Sequence, residues 1–100
     1  MANFLGGSAW AMAKDISEGF ILVTERTYAK LDAGELEKLA FELDRIQREV
    51  RGEQPAIDDL AAVQNRNRRL ARLTGALSML RNSQQRRFRR SVKPGFDGHA

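Results

Sequence analysis

The chain has 100 residues, 30% of them charged and 42% hydrophobic, with two prolines and no cysteine. That length suits one domain with tails and buries only about 60–65% of the unfolded surface, so a lone core is thin and self-association is expected. The lack of cysteine excludes disulfides and thiolate metal sites and fits a reducing, cytoplasmic setting.

The net charge of +4 hides an asymmetry. Residues 1–59 carry seven Lys/Arg and twelve Asp/Glu, a balance of −5; residues 60–100 carry ten basic residues and one acid, a balance of +9. Either the acidic half lies against the basic half, which we favour, or the basic half faces an anionic partner.

Residues 1–31 form an N-terminal amphipathic segment. The opening MANFLGGSAWAMAKD lacks the basic start and clean apolar core of a secretory signal, and Phe20-Ile21-Leu22-Val23 falls far short of the roughly 20 residues of a membrane span. SEGFILVTERTY has the β-branched and aromatic content of a strand, yet Trp10, Ala13, Ile16, Phe20, Val23, Thr27 and Leu31 recur at helical spacing. A lone strand has no sheet to join. The spacing therefore predicts one helix over about 8–30, with Gly19 as its weak point. Its polar side carries Lys14, Asp15, Glu18, Glu25 and Arg26, a mixture that disfavours an anionic membrane surface.

The clearest element follows. Leu36, Leu39, Leu43, Ile46 and Val50 repeat at spacings of three and four, the pattern of a coiled-coil seam. Asp32 with Glu35 makes a capping box, Arg48 and Arg51 suit the C-terminal end, and Gly52 stops the helix, which is predicted over about 33–51.

Gly52-Glu53-Gln54-Pro55 is a short connector of the kind that joins antiparallel neighbours. A second helix is expected from about 56, with Pro55 and the acids Asp58 and Asp59 at its start, to at least 82 and as far as 90. Val63, Leu70, Leu73, Leu77 and Leu80 form its apolar face, with Asn67 at the edge as a register or oligomer-fixing polar residue. Gly75 costs about 1 kcal/mol in a helix interior unless its small size permits close packing. Residues 32–90 thus form the hairpin, and 91–100 a flexible tail.

On a helical wheel Arg68, Arg72, Arg86 and Arg90 fall opposite the apolar face, Arg69 and Arg87 on a flank, and Arg66 and Arg81 on the apolar side. The stretch RNSQQRRFRR over 81–90 adds Phe88 to a dense arginine cluster. Arg86, Arg87 and Arg90 suit phosphate, and Phe88 suits stacking on a base, although no nucleic-acid-binding signature is present.

No catalytic constellation, P-loop, dinucleotide fingerprint or metal-ligand spacing appears; His99, the one histidine, is next to the end. The carboxylates of the first hairpin helix match helical ion-pair partners, Glu42 with Arg45 and Asp44 with Arg48. The expectation is an all-α protein: an antiparallel, coiled-coil-like hairpin with an N-terminal amphipathic helix or arm, able to dimerise into a bundle. It is expected to be a non-enzymatic adaptor or assembly protein without cofactor or metal. Its partner is a protein with an acidic or apolar helical surface, or a second copy. The alternative is RNA or DNA binding through Arg68, Arg72, Arg86, Arg87, Phe88 and Arg90.

Overall fold

The computed structural model describes residues 4–5 and 7–91, with the backbone alone for Arg90 and Ser91. Its four helices are α1 (Ala9–Glu18), α2 (Glu25–Ala29), α3 (Ala33–Arg51) and α4 (Leu60–Ser91), and no strand occurs among the described residues. The tail beyond Ser91, His99 and the side chain of Arg90 lie outside the described residues.

The single N-terminal helix expected over 8–30 is instead two short helices broken at Gly19. Ser8 opens α1, its hydroxyl accepting from the Ala11 N–H at 3.1 Å. Gly19 closes it at φ +84°, while the Gly19 N–H donates to the Ile16 carbonyl and the Phe20 N–H to the Asp15 carbonyl. Those two bonds make a Schellman motif, and the left-handed residue it requires is glycine. The chain then runs without regular secondary structure until Thr24, which starts α2 through a reciprocal capping box with Thr27. Ala13, Ile16 and Leu31 are buried as the spacing implied, but Trp10 and Phe20 are exposed. The break takes Phe20 off the helical face on which it was placed.

Two turns on, Asp32 accepts from the Glu35 N–H at 2.7 Å and the Glu35 carboxylate accepts from the Asp32 N–H at 2.9 Å, so α3 begins as its sequence implied. Leu36, Leu39, Leu43, Ile46 and Val50 are all buried. The pairs Glu42–Arg45 and Asp44–Arg48 form on the outer face.

α4 starts at Leu60, four residues later than its pattern suggested. The reason is local: the Asp59 N–H donates to the Ala56 carbonyl, and the Asp59 side chain accepts from the Ala62 N–H at 3.1 Å. Asp59 therefore acts as the cap, and Pro55 stays in the connector.

α3 and α4 pack along each other, and their polar contacts step in opposite directions. Glu37 meets Arg81 and Gln84, Gln47 donates to Thr74 at 2.7 Å, and Glu53 meets Arg66 and Arg69. Leu73, Ala76 and Leu80 of α4 enter the core, whereas Val63, Leu70 and Leu77 are half-buried. Met12, Ala13 and Ile16 of α1 and Tyr28 and Leu31 complete the same core. Asn67 is exposed; its side-chain oxygen accepts from Arg66 at 3.3 Å.

Candidate interaction surface

Most arginines of α4 are occupied within the fold, and three of them, Arg66, Arg72 and Arg87, share one task. The last carbonyls of an α-helix lack intrahelical partners and form the negative end of its dipole. Arg72 donates to the Ser17 carbonyl near the end of α1 at 3.1 Å. Arg87 donates to the Tyr28 carbonyl near the end of α2 at 2.8 Å. Arg66 donates to the Arg51 carbonyl at the end of α3 at 3.1 Å, and to the Glu53 carbonyl beyond it at 3.0 Å. One long basic helix thus closes the C-terminal ends of the three shorter ones.

Ion pairs between the acidic and basic halves add to this. Arg69 pairs with Glu53, Arg81 with Glu37 at 3.5 Å, and Arg86 with Glu25 at 3.0 Å. These contacts are those of an acidic half lying on a basic one. The stripe Arg68, Arg72, Arg86 and Arg90 is accordingly not one free face. Arg72 and Arg86 hold the N-terminal helices, Arg68 is exposed with no hydrogen bond or ion pair among the described residues, and the Arg90 side chain lies outside them. Arg89, not singled out by the wheel, resembles Arg68 in this respect. Phe88 is 69% exposed and borders a shallow depression with Ala33, Leu36, Glu37, Gln84 and Arg87.

The wheel reasoning missed an apolar groove. It lies between the Gly19–Val23 link and α4, encloses about 320 Å³, and is walled by Ile16, Ile21, Val23, Ala71, Ala76 and Met79. Phe20 and Leu22, 77% and 89% exposed, stand at this link. A Cβ built on Gly75, which also lines the groove, would meet nothing within 4 Å. Close packing therefore does not explain Gly75; its missing side chain leaves the groove open. The signal was present in the sequence as Ala71 and Gly75 on a helix otherwise dense in long side chains, but the predicted continuous N-terminal helix concealed the facing wall.

Beneath this groove Tyr28 is fully buried, and its hydroxyl donates to the Ala76 carbonyl at 2.8 Å. Burial disfavours the phenolate and pushes the hydroxyl pKa well above its ordinary value. Among the described residues no group of three His, Cys, Asp or Glu side chains could hold a metal ion, and no helix is long and apolar enough to cross a membrane. Comparison with protein families, with characterised proteins and with solved structures finds no match for this chain.

Proposed function

We propose that the protein is a non-enzymatic helical adaptor or assembly protein that acts through protein–protein contacts. The observation that carries this reading is the apolar groove beside Phe20 and Leu22, large apolar side chains left in water next to an open wall of small residues. Exposed apolar surface of this kind is used for association. The fitting partner is an amphipathic helix that buries its apolar side against Leu22, Val23 and Met79 and presents an acidic edge to Arg68. In this reading α3 and α4 are the two arms of a helical hairpin that carries the groove, and a second copy of the chain is one source of such a helix.

The test combines a surface variant with capture. Phe20→Ser with Leu22→Ser should leave helix content and unfolding close to wild type, because both side chains are already exposed. In affinity isolation from native lysate, nuclease-treated, the wild type should retain protein partners that the double variant loses. Sedimentation equilibrium on both proteins separates self-association from capture of another chain. Identical partners and identical oligomeric state for the two proteins would refute the groove as a contact surface.

Nucleic-acid binding is the second reading, and it draws on Arg68 and Arg89, both exposed and without a hydrogen bond or ion pair among the described residues. It requires binding that weakens steeply with salt. Arg68→Gln with Arg89→Gln should then lower the log–log salt slope by up to about two on a duplex. Loss of all lysate partners on nuclease treatment would favour this reading over the adaptor.

A further inference from the structure

A second groove, between α2 and the C-terminal part of α4, has the opposite chemistry. It encloses about 570 Å³ and is lined by Glu25, Arg26, Ala29, Ser83, Arg86 and Arg87. Three guanidinium groups and one hydroxyl therefore line one concavity, against one carboxylate.

Ser83 is the telling residue. It is only 7% exposed, yet among the described residues its hydroxyl has no hydrogen-bond partner. The Ser83 side chain is largely covered, but its oxygen is not among the buried unpaired atoms, so it opens to the groove and is available to a ligand there. Two of the surrounding arginines are held in place from within. Glu25 pairs with Arg86 at 3.0 Å, and the Tyr28 carbonyl accepts from Arg87 at 2.8 Å. Each guanidinium has five N–H donors, so these contacts orient the groups and leave further donors unused. Arg26 makes no hydrogen bond or ion pair among the described residues.

We propose that this groove is a binding site for a phosphate monoester dianion. Arg26, Arg86 and Arg87 supply charge-assisted N–H donors, and Ser83 supplies a neutral donor that fixes the oxygen lying deepest. Three cations and one carboxylate give the site a balance of +2, which a dianion neutralises and a phosphodiester, with one charge, does not. Phosphate oxygens also accept several hydrogen bonds at once, as a converging set of donors requires. The site is independent of the apolar groove and of the protein contacts proposed for it.

The test is titration of the full chain with inorganic phosphate, then with glycerol phosphate as a monoester, in chloride buffer at matched ionic strength. Backbone amide shifts in 25–29 and 83–87 report binding. Saturable shifts confined to these two segments are expected for both probes. Arg26→Gln should weaken binding by about fivefold to tenfold and Ser83→Ala by about threefold to tenfold. Glu25→Gln, which removes the one negative charge, should strengthen it by about twofold to fivefold. Tyr28 near-ultraviolet signals and thermal unfolding check that each variant keeps its fold. Unchanged affinity in Arg26→Gln and Ser83→Ala, or weaker binding in a folded Glu25→Gln, would overturn the proposal. So would binding of a short oligonucleotide lacking terminal phosphate as tightly as the monoester, which would make the groove a phosphodiester contact.

Discussion

Tyr28 and Ala76 stand 48 residues apart, yet the phenol of one donates to the backbone carbonyl of the other at 2.8 Å. That single bond ties the shortest helix to the longest. Next to it, Arg87 holds the Tyr28 carbonyl, so α2 is fastened to α4 from both its side chain and its main chain. A five-residue helix has almost no intrinsic stability, and these tertiary contacts supply what its own hydrogen bonds cannot.

Replacing Tyr28 by Phe keeps the ring and removes the hydroxyl. The loss should be about 1 kcal/mol in urea unfolding, the usual worth of such a bond. The pH response should be diagnostic. In the unfolded chain the phenol ionises near 10, whereas in the folded chain burial holds its pKa higher. Above pH 10 the unfolded state therefore releases a proton that the folded state keeps, and stability falls as pH rises, by up to about 1.4 kcal/mol per pH unit. Below pH 10 this contribution is fully present. Tyr28→Phe should lack the alkaline component. Because Tyr28 is the one tyrosine in the chain, tyrosinate absorbance follows it directly. A wild-type tyrosinate titration centred near 10 in the folded protein would contradict the burial.

Gly19 and Arg72 form a second test, as a double-mutant cycle. A Cβ on Gly19 would lie 2.9 Å from the Arg72 guanidinium carbon, and the residue sits at φ +84°. Gly19→Ala should cost about 1–2 kcal/mol from the left-handed backbone alone. It should also push Arg72 away from the Ser17 carbonyl. Arg72→Ala should therefore cost less in the Gly19→Ala background than in wild type, with a coupling of at least about 0.5 kcal/mol. Strict additivity would mean that Arg72 moves aside without losing its bond.

Arg66 and Arg68 separate the structural from the exposed arginines. Arg66 serves the end of α3 through two carbonyls, so Arg66→Ala should cost about 1–2 kcal/mol. Arg68 is exposed and makes no hydrogen bond or ion pair among the described residues, and Arg68→Ala should stay within about 0.5 kcal/mol. Thermal unfolding of the two single variants decides the matter. By the same logic, neutralising Arg72 and Arg86 together with Arg68 should destabilise the N-terminal helices, which a purely solvated stripe would not do.

What was legible in the sequence tracks how local the signals were. α3 could be placed from Asp32, Glu35 and five apolar residues because its dipole and its buried face lie within its own 19 residues and its cap is the residue just before them. The N-terminal segment misled because Trp10 to Leu31 keep a helical period through a break. Gly19 marked that break, but a period alone cannot distinguish a helix from two short helices whose buried residues happen to stay in phase. The arginines were legible as positions and not as contacts. A wheel gives the angle of Arg72 about its own helix; it does not say that another helix ends there with an unpaired carbonyl. The Ser83 groove was least accessible, since it joins residues 25–29 to 83–87 only through the tertiary fold.

The last prediction concerns the α3 face itself. Leu43 is fully buried, and two residues earlier Phe41 is 57% exposed on the same helix. Leu43→Asp removes a packed side chain and places a carboxylate where no partner waits, so a loss of about 3–5 kcal/mol is expected. That is a large part of the stability of a small domain, and substantial unfolding at room temperature would follow. Phe41→Asp puts the same charge in water and should cost no more than about 1 kcal/mol. Urea denaturation with the helix signal as readout compares them directly. The pair largely controls for helix propensity, since both place Asp in the interior of α3 and the propensities of Leu and Phe differ by only a few tenths of a kcal/mol. Burial is the main difference between the two sites. Equal losses would show that the face carrying Leu36, Leu39, Leu43, Ile46 and Val50 is not the one that packs.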